Sequence, residues 1–175
     1  MSPIMKSRPA RGLANQEKSG PIVQIPLLCW DIAHPLLGKH QELANDLNSF
    51  ARLAADLDWQ SMPELRHPLK DGQTVVVTDR SSRVVWVSRG FSRLTGYQPS
   101  EMLGKTPALL QGPLTNTTTR AFVRQRLARC EPVTATIQNY RKDRTPYWCR
   151  ISIDPLYNKQ AECTHFMAIE EELLK

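Results

Sequence analysis

The sequence predicts an α+β fold in which helices cover one face of a five-stranded antiparallel sheet, with a helical extension at the N-terminus. Two observations carry this prediction. Residues 74–78 form the β-branched run TVVVT, which is typical of a strand, and three segments after residue 131 alternate apolar and polar residues. Between these two regions the residues have helical spacing. The resulting element order is β-β-α-α-α-β-β-β.

The size and hydrophobicity of the chain limit its class. Its 175 residues, 41% of them hydrophobic, accommodate one domain with an extension and exclude a wholly disordered chain. No apolar run reaches the roughly 18 residues that a membrane helix needs. The basic start of the chain is not followed by the apolar segment of a secretory signal, so we expect a cytoplasmic protein.

The N-terminal extension has three predicted parts. Residues 1–20 are rich in Ser, Pro, Gly, Lys and Arg and are predicted to be a flexible basic tail. Residues 21–38 are apolar but contain three prolines, which predicts an irregular arm rather than a helix. Residues 39–59 are predicted to be an amphipathic helix, and residues 60–72, with two prolines, a linker to the domain at 73–172.

The predicted helix at 39–59 has a seam of apolar residues spaced three or four apart. These residues are Leu43, Leu47, Phe50, Ala54 and Leu57. The seam must be buried, either against the chain's own domain or as a dimer helix, and two heptads do not separate these alternatives. We expect a homodimer.

The first half of the domain is predicted to contain a hairpin and three helices. Strands at 74–78 and 83–88 flank a turn, and a short helix then ends at Gly96. A second short helix begins at Pro99 and ends at Gly104. The longest helix is predicted over residues 115–129.

The second half is predicted to contain three strands, at 132–141, 146–155 and 164–171. Alternation along the middle strand places Tyr147 and Cys149 on one face and Trp148 on the other. A sheet covered by helices on one face has a natural pocket between the two layers.

Sequence motifs give little support for catalysis or metal binding. Cys29, Cys130, Cys149 and Cys163 lack CxxC spacing, which favours free thiols over a structural zinc site. The GxSxG, P-loop, HExxH and dinucleotide-binding motifs are absent, so we expect that the protein is not an enzyme.

The net charge of +6 allows a nucleic-acid-binding regulator that uses the basic tail as a further alternative. One denser basic run contains Arg120, Arg124, Arg126 and Arg129. Because no basic run is interleaved with aromatic residues, the sequence does not support direct nucleic-acid binding.

Five fragments in this order resemble the PAS domain, and within it the light-oxygen-voltage (LOV) branch. They are VVTD (76–79), FSRLTGYQPSEMLGK (91–105), LLQGPLT (109–115), NYRKDRTPYWCRISIDPL (139–156) and HFMAIEE (165–171). The resemblance implies a sensory or interaction module that transmits a change in its sheet to a flanking helix. It does not imply catalysis.

The chain departs from the LOV pattern where the flavin reacts. The family motif Gly-X-Asn-Cys-Arg-Phe-Leu-Gln-Gly aligns with GKTPALLQG at 104–112. Pro107 therefore occupies the position of the photoactive cysteine, and Ala108 that of a phosphate-binding arginine. The family's second phosphate arginine aligns with Arg124. The resemblance thus implies a LOV-like domain without adduct photochemistry.

Two of the three positions that would form hydrogen bonds with the polar edge of the flavin are also changed. Asn139 matches the family, but Cys149 and Glu170 replace an asparagine and a glutamine, and an ionised glutamate can only accept hydrogen bonds. We expect no cofactor, with non-covalently bound flavin (FMN or FAD) as the alternative. Haem is disfavoured because His165 lies on the last strand and the helix at 115–129 has no histidine.

Six positions are candidates for the lining of the pocket. They are Asn139, Gln111, Arg124, Cys149, Glu170 and Pro107. For Cys149 a small buried hydrophobe is the favoured interpretation, and for Gln111 a helix cap.

The sequence predicts a stand-alone PAS signalling and protein-interaction module, because residues 173–175 leave no room for a further effector. Its output would pass through the N-terminal helix or the sheet face to a homodimer partner or an effector protein. The alternatives are a small-ligand or flavin-based redox or light sensor and a nucleic-acid-binding regulator.

Overall fold

The computed structural model describes residues 27–60 and 63–173. The predicted basic tail at 1–20, with the nucleic-acid hypothesis that depends on it, lies outside these residues. So do residues 21–26 of the predicted arm. The helices in the described part of the chain are too short or too polar to span a membrane.

The order of elements within the domain matches the prediction. The helices are α1 (Leu27–Asp56), α2 (Arg66–Lys70), α3 (Gly90–Thr95), α4 (Pro99–Met102) and α5 (Thr117–Ala128), with a 3₁₀ helix at Pro107–Leu110. The strands are β1 (Thr74–Asp79), β2 (Val84–Val87), β3 (Val133–Tyr140), β4 (Pro146–Tyr157) and β5 (Cys163–Glu172). The predicted five-stranded antiparallel sheet with helices is confirmed.

The last strand in the sequence lies at the centre of the sheet. The strand order is β2-β1-β5-β4-β3. β5 pairs antiparallel with β1, from Thr74 opposite Glu170 to Asp79 opposite His165, and with β4 on its other side. Residues of β5 are therefore fixed from both edges by backbone hydrogen bonds.

The two faces of the sheet pack against different helices. Val76 of β1 packs with Phe91 and Met102 from the α3 and α4 region. Val75 and Val77 of the same strand pack on the opposite face, with residues of α1. Because side chains alternate along a strand, β1 and β5 are covered on both faces.

Helix α1 begins earlier than predicted. It runs from Leu27 through Pro35 to Asp56, so the prediction of an irregular arm is wrong over residues 27–38. A proline inside a helix removes one backbone donor and costs about 3 kcal/mol. The turns on both sides retain their own hydrogen bonds, and the helix continues.

The apolar seam of α1 packs on the chain's own sheet. Phe50 and Ala54 are buried in a cluster with Val75, Val77 and Met167. Leu47 and Leu57 pack against the same cluster, whereas Leu43 is half-buried outside it. The structure therefore favours intramolecular packing of these four seam residues, and a dimer helix stays a prediction.

Polar contacts also tie α1 to the segment between β2 and α3. A carboxylate oxygen of Asp46 accepts a hydrogen bond from the Arg89 amide at 3.0 Å. Arg93 forms an ion pair with Glu42 at 2.7 Å, and Trp86 Nε1 donates to Ser49 at 3.1 Å.

The predicted linker contains a structured turn of helix. Within residues 60–72, α2 spans Arg66–Lys70, Leu65 before it is buried, and Leu69 packs against the α1 cluster. The linker is therefore part of the core, because its two leucines bury apolar surface that a solvated linker would expose.

Candidate functional site

A cavity of about 400 Å³ lies between the inner face of the sheet and the layer formed by α5 and the 3₁₀ helix. Its apolar lining includes Val76 of β1, Ile137 of β3, Ile151 and Ile153 of β4, and Val123 and Leu127 of α5. This volume falls in the range of pockets that bind small molecules.

Strand β5 contributes one wall of the cavity. Phe166, Ala168 and Glu170 line it, and they alternate with Met167 and Ile169, which pack towards α1. The same strand therefore contacts the cavity on one face and the N-terminal helix on the other. Strand β5 is therefore the element that connects the cavity wall to the surface that supports α1.

Glu170 is a buried acid in this wall. Its side chain is 5% exposed, and its Oε2 atom has no hydrogen-bond partner among the described residues. Burial raises the pKa of the Glu170 carboxyl to about 7, because the charged form loses its hydration. The position predicted from the sequence is thus in the cavity, as a carboxyl close to the midpoint of its titration at neutral pH.

Asn139 also lines the cavity, on the neighbouring pair of strands. It lies opposite Tyr147 in the β3–β4 register. The Tyr147 hydroxyl is buried and makes no hydrogen bond of good geometry, although the nearby Asn139 amide opposes the rise in its pKa. Burial is the largest cause of that rise, followed by the charge of Glu170. Tyr147 therefore keeps its proton at neutral pH.

Cys149 does not line the cavity. Its side chain is fully buried in the apolar cluster with Ile137 and Phe166. Burial and the neighbouring Glu170 raise the pKa of its thiol, so it stays protonated. Its candidate role as a pocket position is wrong, and the favoured alternative of a small buried hydrophobe fits its surroundings.

Helix α5 presents two arginines to the cavity. Arg120 and Arg124 are four residues apart, so they lie on the same face of the helix, and both are in the lining. The Arg120 Nε atom is buried without a hydrogen-bond partner. No ion pair involves either arginine among the described residues. Arg124 was predicted from the sequence as a pocket residue, whereas Arg120 was not, although its position within the basic run was a usable signal.

The 3₁₀ helix supplies Pro107 and Ala108 to the lining, and Gln111 follows it. The Gln111 amide donates to the Ala108 carbonyl at 3.0 Å, but its side-chain Oε1 is buried without a partner and faces the cavity. The predicted cap is therefore formed by the Gln111 backbone, and its side chain is available to a ligand.

Small polar residues and one further arginine also contribute to the lining. They are Thr78, Arg80, Ser82 and Thr106. The described parts of the chain contain no group of three or more His, Cys, Asp or Glu side chains placed to hold a metal ion. Cys130, Cys149 and Cys163 are free thiols. The arginines and hydroxyl groups of the lining are suited to pair with polar and anionic groups of a ligand.

Comparison with known proteins identifies relatives of this architecture. The model of the PAS domain family matches residues 72–173. Phototropin-2 of Oryza sativa subsp. japonica is 30% identical over 123 residues, which are 66% of this chain and 14% of that protein. Blue-light-activated histidine kinase 2 of Erythrobacter litoralis is 30% identical over 90 residues, which are 51% of this chain and 26% of that protein. The chain thus spans well under a third of the length of either relative.

Solved structures show the same fold. The LOV domain of a blue-light-activated histidine kinase from Erythrobacter litoralis is 27% identical, with a TM-score of 0.56. The match covers 59% of this chain and 97% of that domain. A LOV domain studied with a flavin analogue is 32% identical, with a TM-score of 0.58, and the match covers 63% of this chain and 84% of that one.

Proposed function

The chain belongs to the PAS domain family, and from that premise we propose that it is a sensory signalling module that binds a small molecule without a covalent bond. The ligand would occupy the cavity between the sheet and α5, and the output would pass through β5 to α1. LOV domains, its relatives, are sensory modules rather than catalysts. We also propose that it acts in the cytoplasm, where a reducing environment suits three free thiols.

One observation carries this proposal. The cavity of about 400 Å³ contains buried polar atoms of Glu170, Gln111 and Arg120 that have no hydrogen-bond partner within residues 27–60 and 63–173. An unpaired buried polar group costs about 1–3 kcal/mol. A ligand that forms hydrogen bonds with these atoms recovers that free energy. The unpaired polar atoms therefore favour binding of a polar ligand in this cavity.

The lining also supports the absence of adduct chemistry. Pro107 has no nucleophilic atom, and Cys149 is buried outside the lining with a thiol pKa that burial raises. A thiolate is the reactive form of cysteine, so Cys149 is a poor substitute for the missing nucleophile.

The output route follows the two faces of β5. Ala168 and Glu170 contact the cavity, and Ile169 between them packs against the α1 cluster. Trp86 bonds to Ser49 of α1, and its indole is 5.3 Å from the Phe50 ring between centroids. We expect ligand binding to change the fluorescence of Trp59 and Trp86, which both contact Phe50.

Native mass spectrometry of the purified chain tests the proposal. We expect a bound small molecule that is released on unfolding, or thermal stabilisation by added FMN, riboflavin or guanosine monophosphate. Ala168→Leu, which places three more carbon atoms in the cavity, should abolish binding. Ala135→Leu is the matched control, because Ala135 is partly buried on β3 but is not in the lining. A folded protein that retains binding with Ala168→Leu contradicts the proposal, as does one that binds none of these molecules.

Flavin is the second candidate ligand, and the residues fit it only in part. Asn139, Arg124 and the cavity volume favour it. Glu170 opposes it, because the polar edge of oxidised flavin presents two carbonyls around one N–H, and an ionised carboxylate repels carbonyl oxygens. An absorption spectrum of the purified protein tests whether flavin is the resident ligand. A visible flavin band supports flavin, and a protein band alone contradicts it.

We also propose that the protein forms a homodimer through the outer face of β3 and β4. Trp148 on this face is 36% exposed, and Thr136 and Arg150 beside it are exposed as well. Trp148→Glu should halve the mass measured by light scattering, because it places a charge in the contact. Leu37→Glu is the control, since Leu37 is exposed on α1 away from the sheet. An unchanged mass with Trp148→Glu contradicts this dimer. The exposed side of α1 is the proposed contact for an effector protein.

A further inference from the structure

We infer that the ligand of this cavity is a heterocycle with two adjacent N–H donors, bound by Glu170, and an anionic group, bound by Arg120 and Arg124. Guanine nucleotides have this combination. The inference rests on the proposed function, because it concerns the same cavity, but it specifies the chemical class of the molecule.

The first step concerns Glu170. Among the described residues, it is the one acid in the cavity lining, and none of the cations there forms an ion pair with it. A carboxylate takes two parallel N–H donors in a planar bidentate arrangement, as it does with arginine. The ring N–H and exocyclic amine of guanine present the same two donors side by side. Such a ligand satisfies the Oε2 atom that the protein leaves unpaired.

The neighbours of Glu170 do not compete for this role. Tyr147 and Cys149 on β4 keep their protons because burial raises the pKa of each group. Asn139 on β3 is neutral, and Thr74 lies opposite Glu170 on β1. The charged groups that share the cavity are Arg80, Arg120 and Arg124. The protonation state of Glu170 therefore depends on its burial and on the ligand that binds in the cavity.

The second step concerns the two arginines. Arg120 and Arg124 share one helical face, and the small side chain of Ala108 lies in the same lining. The buried Nε atom of Arg120 has no acceptor in the part of the chain that the structure describes. Guanidinium groups bind phosphate oxygens through paired hydrogen bonds. These arginines therefore form a phosphate subsite that uses Arg120, a residue without a counterpart in the motif comparison.

Binding of this ligand class requires ionised Glu170. With a pKa of about 7, the ionised fraction of Glu170 rises about tenfold from pH 6 to pH 8. Affinity for guanosine monophosphate should rise by about the same factor, and Glu170→Gln should remove that part of the pH dependence. The dependence that remains in the variant reports the phosphate of the ligand itself.

Isothermal titration with three probes tests the inference. Guanosine monophosphate has both features, inosine monophosphate lacks the exocyclic amine, and guanosine lacks the phosphate. At pH 8 we expect guanosine monophosphate to bind about tenfold or more tightly than either of the others. Glu170→Gln should remove the preference over inosine monophosphate. Arg120→Gln should remove most of the preference over guanosine and retain the preference over inosine monophosphate.

Arg129→Gln is the matched control, because Arg129 is exposed at the end of α5 and lies outside the lining. Circular dichroism establishes that each variant is folded. Equal binding of guanosine and inosine monophosphates overturns the inference, and so does an absence of guanosine monophosphate binding. The proposed function fails separately, if the protein holds none of the small molecules tested by mass spectrometry and thermal stabilisation.

Discussion

The ring of Tyr140 lies directly against the α carbon of Gly112. A β carbon at position 112 would be 2.5 Å from Cδ2 and 2.9 Å from Cζ of that ring, which is closer than atoms can pack. The Tyr140 hydroxyl accepts a hydrogen bond from the Leu114 amide at 3.0 Å. Tyr140 thereby fixes the loop between the 3₁₀ helix and α5, which both contribute to the cavity wall.

Gly112→Ala should lower the free energy of unfolding by about 1–3 kcal/mol, because the Tyr140 ring must move to admit the methyl group. Urea denaturation measures the change. Gly38→Ala is the control, because Gly38 lies in α1 with no atom within 4 Å of the added carbon, and alanine favours a helix. A Gly112→Ala protein as stable as the wild type would mean that the loop is not held by this contact.

Phe50→Ala should lower the free energy of unfolding by about 3–5 kcal/mol, since it removes a fully buried ring from the contact between α1 and the sheet. Leu37→Ala on the same helix should change it by less than about 0.5 kcal/mol, because Leu37 is exposed. Chemical denaturation followed by tryptophan fluorescence measures both. Equal effects of the two substitutions would show that α1 does not depend on this packing.

Asp46→Ala should cost about 1–2 kcal/mol of stability, because it leaves the Arg89 amide without the acceptor that it has at 3.0 Å. Asp56→Ala is the control, since Asp56 is exposed at the end of the same helix. Hydrogen exchange of the Arg89 amide gives a local measurement, and it should become faster only in Asp46→Ala. An unchanged exchange rate of the Arg89 amide in Asp46→Ala would contradict a stabilising hydrogen bond between Asp46 and Arg89.

The pH dependence of stability should report Glu170. Its pKa rises from an ordinary value of 4.5 to about 7 on folding, so the folded state binds more protons than the unfolded state between these values. Stability should therefore fall by about 3 kcal/mol as the pH rises from 4.5 to 7 and level off above that. Glu170→Gln should remove this fall.

Glu171→Gln is the control for that experiment, because Glu171 is half-buried on the same strand beside Arg150 and lies outside the cavity lining. Urea denaturation at a series of pH values provides the comparison. A wild-type stability that rises over this range would show that Glu170 is already ionised and paired in the folded protein.

Pro107→Cys should not by itself produce a light-induced change in the absorption spectrum, because the substitution supplies a thiol but no flavin. The spectrum before and after blue illumination measures this. Pro107→Ser is the control for the loss of the proline ring. A light-dependent change in Pro107→Cys alone would mean that the wild-type cavity already holds flavin.

The strands and helices of the domain were predicted well, because each depends on a pattern within a short stretch of sequence. The β-branched run at 74–78 and the alternation over 146–155 each determine which side chains face the helices. The outcome for α1 depended on long-range packing instead. Phe50 and Ala54 would form the same periodic pattern in a dimer helix or on their own sheet, and only the position of Met167 and Val77 decides.

The site residues divide in the same way. Glu170 and Arg124 were identified from aligned motifs, whereas Arg120 was missed because no motif contains it and its role depends on the helical face that it shares with Arg124. Cys149 was misplaced for a related reason. Alternation gives the face of a residue but not the extent of the cavity along that face, and Cys149 lies beyond its edge.

The central position of β5 affects how the domain is made. The hairpins β1–β2 and β3–β4 leave the ribosome first, and each exposes an unpaired strand edge that no earlier element can cover. They join only when residues 163–172 insert between them, which is a contact between distant parts of the chain. We therefore expect the nascent domain to expose two more unpaired strand edges than the folded domain until β5 is made, and to be most prone to aggregation at that stage.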